Sequence, residues 1–544
     1  MWRGRLWPTF LCVLLLVSGP TTTLVAQSDG DAVDATAIIE ARVGQLANGA
    51  DVKVAGQSIA SRIVIEDLYS RRSFHPAWTD GHDLDALVEA VRTSEGDGLD
   101  PSDYHQAALE RLREAPASPQ RDADLDMLAT DAAVRLAYHL RFGKVDVSRI
   151  DRNWNFRADY ETALTVAPAL YLQEALDADR FAETLDAYRP AHAIYSGLRG
   201  ALARYRAIAE NGGWRAIPAG PPLKPGEFDA RVPPLRIRLA AEGDLERPSA
   251  ATGATYTNDL VEAVQRFQQR HGLTADGVVG PSTARALNVS VADRINQLRL
   301  SLERGRLVLH ELPPRFVVVN IPGFRVYYVD DKVLRFDASV IVGKPYTKTP
   351  VFRAEINQVV VNPTWTIPPG IMSRDVVPGM QQDPDYLQKK GFRQVGDQVV
   401  QPPGPNNALG RIKINFPNPH LVYLHDTPQR DLFDEDRRAF SSGCIRVQNV
   451  VDLAALLLDD PKWGRPQLEA AIAAERTQYI SLARRVPVFL LYWTAEVRPG
   501  DDRVYFFDDV YKRDAAELAA LDGPFRFSRE AVRQAGTGGA GLLR

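Results

Sequence analysis

Leu421-Val422-Tyr423-Leu424-His425-Asp426-Thr427, followed by Ser441-Ser442-Gly443-Cys444-Ile445-Arg446-Val447, decides how this chain of 544 residues is read. The first segment is apolar and aromatic and reads as a strand ending at His425. The second sets a cysteine among small, polar and cationic neighbours, 19 positions after that histidine. Of the two cysteines, Cys12 falls in an apolar run near the N-terminus, so Cys444 is alone in the remainder. Exported proteins usually use cysteines in disulfide pairs. A lone thiol in this setting points to a nucleophile rather than to a small buried hydrophobe.

The chemistry of such a site follows from its residue types. A free thiol has a pKa of about 8.5 and is mostly protonated near neutrality. His425 is the expected general base, and its imidazole would take the proton from Cys444. Gly443 permits a tight turn, and the N–H groups of Gly443 and Cys444 are candidate donors to the oxyanion of a tetrahedral intermediate. Ser442, Arg446 and Tyr423 are expected to bind substrate or the oxyanion, with Arg446 facing a carboxylate. Asp426 is a possible orienter of the imidazole, but adjacent strand residues point to opposite faces. A backbone carbonyl accepting from Nδ1 would serve as well. With His425 and Arg446 nearby, the thiol pKa is expected to fall, giving half-maximal alkylation below about pH 8.

Composition narrows the function classes. An apolar fraction of 45% suits a globular protein, and the length predicts two to four domains. The formal net charge of −4 argues against nucleic acid as a main partner. There is no Cys-x-x-Cys pair and no His-Glu-x-x-His helix, so structural zinc is not expected, and the glycine-rich phosphate loops are also absent. Arg3 and Arg5 precede the apolar run Phe10–Val17, with small residues up to Ala26. Residues 1–26 therefore read as an export signal and predict a periplasmic protein; an uncleaved anchor is the less favoured reading, because a span needs about 20 apolar residues.

Periodicity divides the rest. Residues 27–225 read as a helical scaffold, with helices at Ile63–Tyr69, Leu84–Thr93, Asp124–Phe142 and Ala193–Asn211. His75, His105 and His139 in this half read as structural residues on helix faces. The proline-rich stretch Gly212–Pro234 marks a boundary. A small helical unit follows at 232–290, and from Phe316 the pattern turns to strands. Consecutive strands predict a mainly antiparallel sandwich or barrel over 314–512, with an irregular lid insert at 366–419 and a tail at 513–544. The fold class is thus multidomain α+β.

The residues now resemble known families. Ala263-Val264-Gln265-Arg266-Phe267-Gln268, with Asp276-Gly277, Gly280-Pro281 and Thr283, resembles the three-helix peptidoglycan-binding domain. Tyr423-x-His425-Asp426-Thr427 followed by Ser441–Val447 resembles the catalytic signature of L,D-transpeptidases, the YkuD-type domain. Ser442 stands where many members carry histidine, a departure shared with the larger Gram-negative branch, which Ser70–Trp78 and Gly98–Pro101 also resemble. The resemblance implies a transferase of cell wall biogenesis that forms 3→3 crosslinks between peptidoglycan stem peptides through a thioester on Cys444. It also implies no cofactor, carbapenems as covalent inhibitors, and possible association with peptidoglycan synthases. Two other readings stay open: a thiol L,D-carboxypeptidase or endopeptidase that trims stems, and a non-catalytic wall-binding scaffold.

Overall fold

The computed structural model describes residues 34–151, 153–156, 167–246 and 253–527. The expected export signal at 1–26 and the last residues of the expected tail lie outside these. The chain is a multidomain α+β protein in which helices come first and a β-ring last.

The helical half contains α1 (Gly81–Thr93), α2 (Pro119–Phe142), α3 (Pro168–Asp177), α4 (Phe181–Asp186) and α5 (Ala193–Glu210). Ser118 starts α2 by accepting from Arg121 N–H, with Pro119 fitting the first turn. Leu125, Leu128, Ala132, Leu136 and Leu140 of α2 are buried in the scaffold core, as their spacing predicts. The three histidines are structural: His105 meets Asp131 at 2.7 Å, His139 meets Tyr104 at 2.8 Å, and His75 meets Thr36 at 3.3 Å. Helix α5 departs from the expected boundary, because its Tyr195, Leu198 and Leu202 belong to the core of the β-domain.

The small unit packs Leu260, Val264 and Phe267 of α6 (Asn258–Arg270) into a core of its own. Helix α7 (Val291–Arg306) then runs between α5 and the β-domain, contributing Leu298 and Leu302 to the larger core and Leu300 to the scaffold core.

Nine strands build the β-domain: β1 (Arg315–Asn320), β2 (Arg325–Asp330), β3 (Val333–Gly343), β4 (Phe352–Val361), β5 (Ile412–Asn415), β6 (Leu424–His425), β7 (Ala439–Ser441), β8 (Ile445–Val447) and β9 (Gln478–Leu491). Their order is β7-β3-β8-β6-β5-β4-β9-β1-β2, and β2 pairs again with β3, so the pairing closes into a ring. Closure removes exposed sheet edges. Most pairs are antiparallel, but β6–β8, β1–β9 and β3–β7 are parallel. Asp331 and Lys332, both at positive φ, form the two-residue turn between β2 and β3.

The insert is more ordered and shorter than expected. Residues 365–401 contain short helices and a three-stranded sheet around Ile367, Val376 and Val399. Within the expected 366–419 segment, Ile412–Asn415 is a ring strand between β4 and β6. Four residues followed closely by Pro417 and Pro419 are too short to stand out from a loop in sequence. The expected tail also begins as helix α8 (Asp514–Leu521), tied to α7 by Arg304–Asp514 and Arg304–Glu517 ion pairs of 2.7 Å each.

Candidate active site

Register brings the site together. Leu424 pairs with Ile445 and His425 with Arg446 across parallel strands, while Lys413 pairs with His425 on the other side. Ile412, Ile414, Leu424 and Ile445 are fully buried in the ring core. Strand alternation therefore turns Lys413, Tyr423, His425, Cys444 and Arg446 to the opposite face. All but His425 are half-buried there; His425 is 4% exposed.

The loop carrying Cys444 is held from behind. Ser441 Oγ–H donates to the Cys444 carbonyl at 2.5 Å and accepts from Gly443 N–H at 3.1 Å. Thr349 Oγ1–H donates to the Gly443 carbonyl at 2.8 Å and accepts from Gly343 N–H at 2.9 Å. Tyr511, beyond β9, donates to the Gly343 carbonyl at 2.7 Å and accepts from Thr349 N–H at 3.1 Å. Gly443 has φ +121, a conformation that favours glycine. Its N–H is used inside the loop, so it is not free to bind an oxyanion as expected. The Cys444 N–H has no hydrogen-bond partner among the described residues and keeps that capacity.

His425 Nδ1–H donates to the Asp426 carbonyl at 2.5 Å, leaving Nε2 unprotonated in the neutral ring. Asp426 thus orients the imidazole through its backbone, because its side chain points the other way. That carboxylate accepts from Arg411 N–H at 2.9 Å and from Arg430 at 3.1 Å. Gly410, at φ +61, lies so close that a Cβ there would strike the Asp426 side chain.

The electrostatics differ from expectation. Burial pushes the Cys444 thiol up, against the lowering effects of Tyr423, Lys413 and Arg446. Burial first, then Arg446 and Lys413, push His425 down to about 3. At neutral pH both groups are uncharged. Cys444 Sγ–H donates to the Leu421 carbonyl at 3.7 Å, and no hydrogen bond joins it to His425. The sequence reading overweighted the cations because a strand pattern does not reveal how much water a half-buried thiol has lost.

The remaining candidates fall into place around this pair. Tyr423 stacks edge-on against His425 with ring centroids 5.5 Å apart, and its hydroxyl faces Cys444 and the Trp365 indole. Arg446 donates to Gln429 at 2.8 Å, its Nε is buried without a partner, and it makes no ion pair among the described residues. Ser442 is exposed and accepts from Arg374 of the insert at 2.9 Å. Lys413, whose ammonium sits 4.0 Å over the Tyr423 ring, was missed. Its signal was a lysine between two isoleucines in a four-residue strand. Trp365 and Arg374 were missed because their contacts come from the folded insert.

Residues 314–472 match the family described as "L,D-transpeptidase catalytic domain", YkuD. The chain carries a YkuD-family L,D-transpeptidase domain. Residues 64–202 match "Scaffold domain" and 229–287 match "Putative peptidoglycan binding domain". A Haemophilus influenzae protein called "Putative L,D-transpeptidase" is 33% identical over 285 residues, covering 48% of this chain and 56% of that relative. The match thus spans about half the length of that relative. The amidase CwlL of Bacillus licheniformis is 37% identical over 100 residues, 18% of this chain and 26% of its own. Among solved structures, the Xylanimonas cellulosilytica L,D-transpeptidase aligns at 18% identity and TM-score 0.18, covering 50% of this chain and 99% of that one. The transpeptidase domain contains every residue of the Lys413–Arg446 face, whereas β9 and Tyr511, which support it, lie beyond the matched residues.

Proposed function

We propose that the protein is a peptidoglycan L,D-transpeptidase of the periplasm, exported by its N-terminal segment, that forms 3→3 crosslinks. Cys444 attacks the carbonyl between the third residue of a tetrapeptide stem and its terminal D-alanine. His425 Nε2 takes the thiol proton as the C–S bond forms and returns it to the D-alanine amine as the C–N bond breaks. The resulting thioester is then attacked by the side-chain amine of a diamino acid on a second stem. That amine loses its proton to His425, and the proton returns to the departing thiolate of Cys444.

The observation that carries this reading is the shared face of His425 and of Cys444, which immediately precedes the strand paired with β6, with Nδ1 fixed by the Asp426 carbonyl. Cys444 Sγ rests on the Leu421 carbonyl, and catalytic hydrogen bonds in substrate-free sites are often formed only in the complex. The Cys444 N–H is suited to the developing oxyanion. Arg446 and Lys413 lack carboxylate partners among the described residues, which suits them to a substrate with free carboxylates. The neighbouring peptidoglycan-binding unit suits the same polymer.

The test is incubation of the protein with disaccharide-tetrapeptide, followed by mass spectrometry of the products. Crosslinked dimers and released D-alanine, both lost in Cys444→Ala, support transpeptidation. Trimmed tripeptide without dimers would assign the protein to stem trimming instead, and no product would leave wall binding as its role.

A further inference from the structure

A second cluster of chemically able side chains lies in the helical half, outside the catalytic face. His82 and Asp83 occupy the first turn of α1, and Asp179 occupies the tight turn between α3 and α4 at φ +50. One ligand atom from each, an imidazole nitrogen and two carboxylate oxygens, lies within 4.8 Å of the others. His82 Nδ1 and Asp179 Oδ1 are 2.9 Å apart.

Asp83 gives the cluster its meaning. It is 2% exposed, yet neither carboxylate oxygen makes a hydrogen bond. The nearby Phe181 N–H favours its charged form without closing a bond. No lysine or arginine pairs with Asp83 or Asp179 among the described residues. Buried carboxylates are normally satisfied, because an unpaired one loses its hydration without return. A buried, unpartnered carboxylate with one oxygen within reach of an imidazole and a second carboxylate is what a cation site requires.

We infer that His82, Asp83 and Asp179 form a binding site for a divalent transition cation of the Zn2+ class, tying α1 to the α3–α4 turn of the scaffold. An imidazole with two carboxylates favours borderline cations over Mg2+ or Ca2+, which prefer oxygen-only sets. The cation would bind the nitrogen that now faces Asp179, after His82 gives up its proton there. Residues 82 and 83 are adjacent while 179 is remote, so no sequence spacing announces the set.

The test uses untagged full-length protein carrying Cys444→Ala, so that the thiol cannot take up zinc. Titration with ZnCl2 against a chromophoric chelator reads affinity, and thermal unfolding with and without ZnCl2 reads linkage to the fold. The expected result is one site per chain, weakened about tenfold or more in His82→Ala and in Asp83→Asn, within the range for loss of a metal-site group. The zinc-dependent rise in Tm should disappear in both variants. His82 is exposed, so His82→Ala folds without it. Unchanged zinc affinity in these variants, or no binding at 100-fold excess, would overturn the assignment.

Discussion

Cys444 faces two cations that favour its thiolate, yet burial outweighs them and the thiol is neutral at rest. Alkylation by iodoacetamide should therefore reach half its plateau above the free-thiol value of about pH 8.5. Arg446→Gln should move that midpoint further up, because a stabilising charge is lost; a midpoint below pH 8 in the wild type would restore a preformed ion pair. His425→Ala should keep the fold and slow acylation by about two to four orders of magnitude, the scale of general-base loss. Its linkage to pH has a definite sign. The folded pKa of about 3 lies below the ordinary 6.5, so the unfolded chain binds the extra proton and the stability due to neutral His425 is present above pH 6.5. That stability declines as pH falls from 6.5 toward 3, so urea denaturation of wild type and His425→Ala should converge across this window. Thr349→Val leaves the Gly343 N–H and Gly443 carbonyl without their partner. It should cost about 1–3 kcal/mol of stability, measured by urea denaturation.

The insert meets the neighbours of Cys444 through two side chains, Arg374 on Ser442 and Trp365 at Tyr423. Arg374→Ala should leave alkylation of Cys444 by a small reagent nearly unchanged. Crosslinking of natural stems should drop by roughly five- to tenfold, the size of one exposed charge-assisted hydrogen bond. Equal losses in both assays would mean that Arg374 acts on the Cys444 loop rather than on the bound stem. Legibility in the sequence differs along this part of the chain for physical reasons. His425 and Cys444 were readable because their residue types and flanks carry the chemistry. The turn to strands from Phe316 was readable because β-branched runs announce themselves. Strand β5 was not, since four residues give no period, and Lys413 was hidden with it. The parallel pairing of β6 with β8, which aligns His425 with Arg446, joins two strands separated by a long connection. No local pattern encodes that. Burial, which decides the charge state of Cys444, is likewise a property of the assembled insert and ring.

The four parts of the molecule are joined by buried charge as well as by apolar cores. Glu242 meets Arg238 at 2.5 Å and Arg270 at 2.6 Å, and Arg270 reaches Asp244 at 2.5 Å. Arg270 also donates to the Val504 carbonyl of the Ala495–Phe506 hairpin at 3.3 Å, linking the peptidoglycan-binding unit to the end of the catalytic region. Burial opposes ionisation of Glu242, but Arg270 and Arg238 outweigh it and hold its carboxyl well below the usual range. The stability from this charge is present above the ordinary carboxylate pKa of about 4.3 and is lost as pH falls through the lower folded value. Glu242→Gln leaves Arg238 without its carboxylate and should destabilise the folded chain by about 3–5 kcal/mol, read by thermal or urea denaturation. A change under 1 kcal/mol would mean that water or the remaining Asp244 satisfies both arginines.

Acylation of Cys444 is the step on which this account of the protein stands. The most direct measurement is intact-mass analysis after incubation with a carbapenem, followed by peptide mapping of the modified chain. One adduct is expected, on the peptide containing Cys444, absent in Cys444→Ala and formed far more slowly in His425→Ala. An unmodified mass for folded wild-type protein, or an adduct at any other residue, would contradict it.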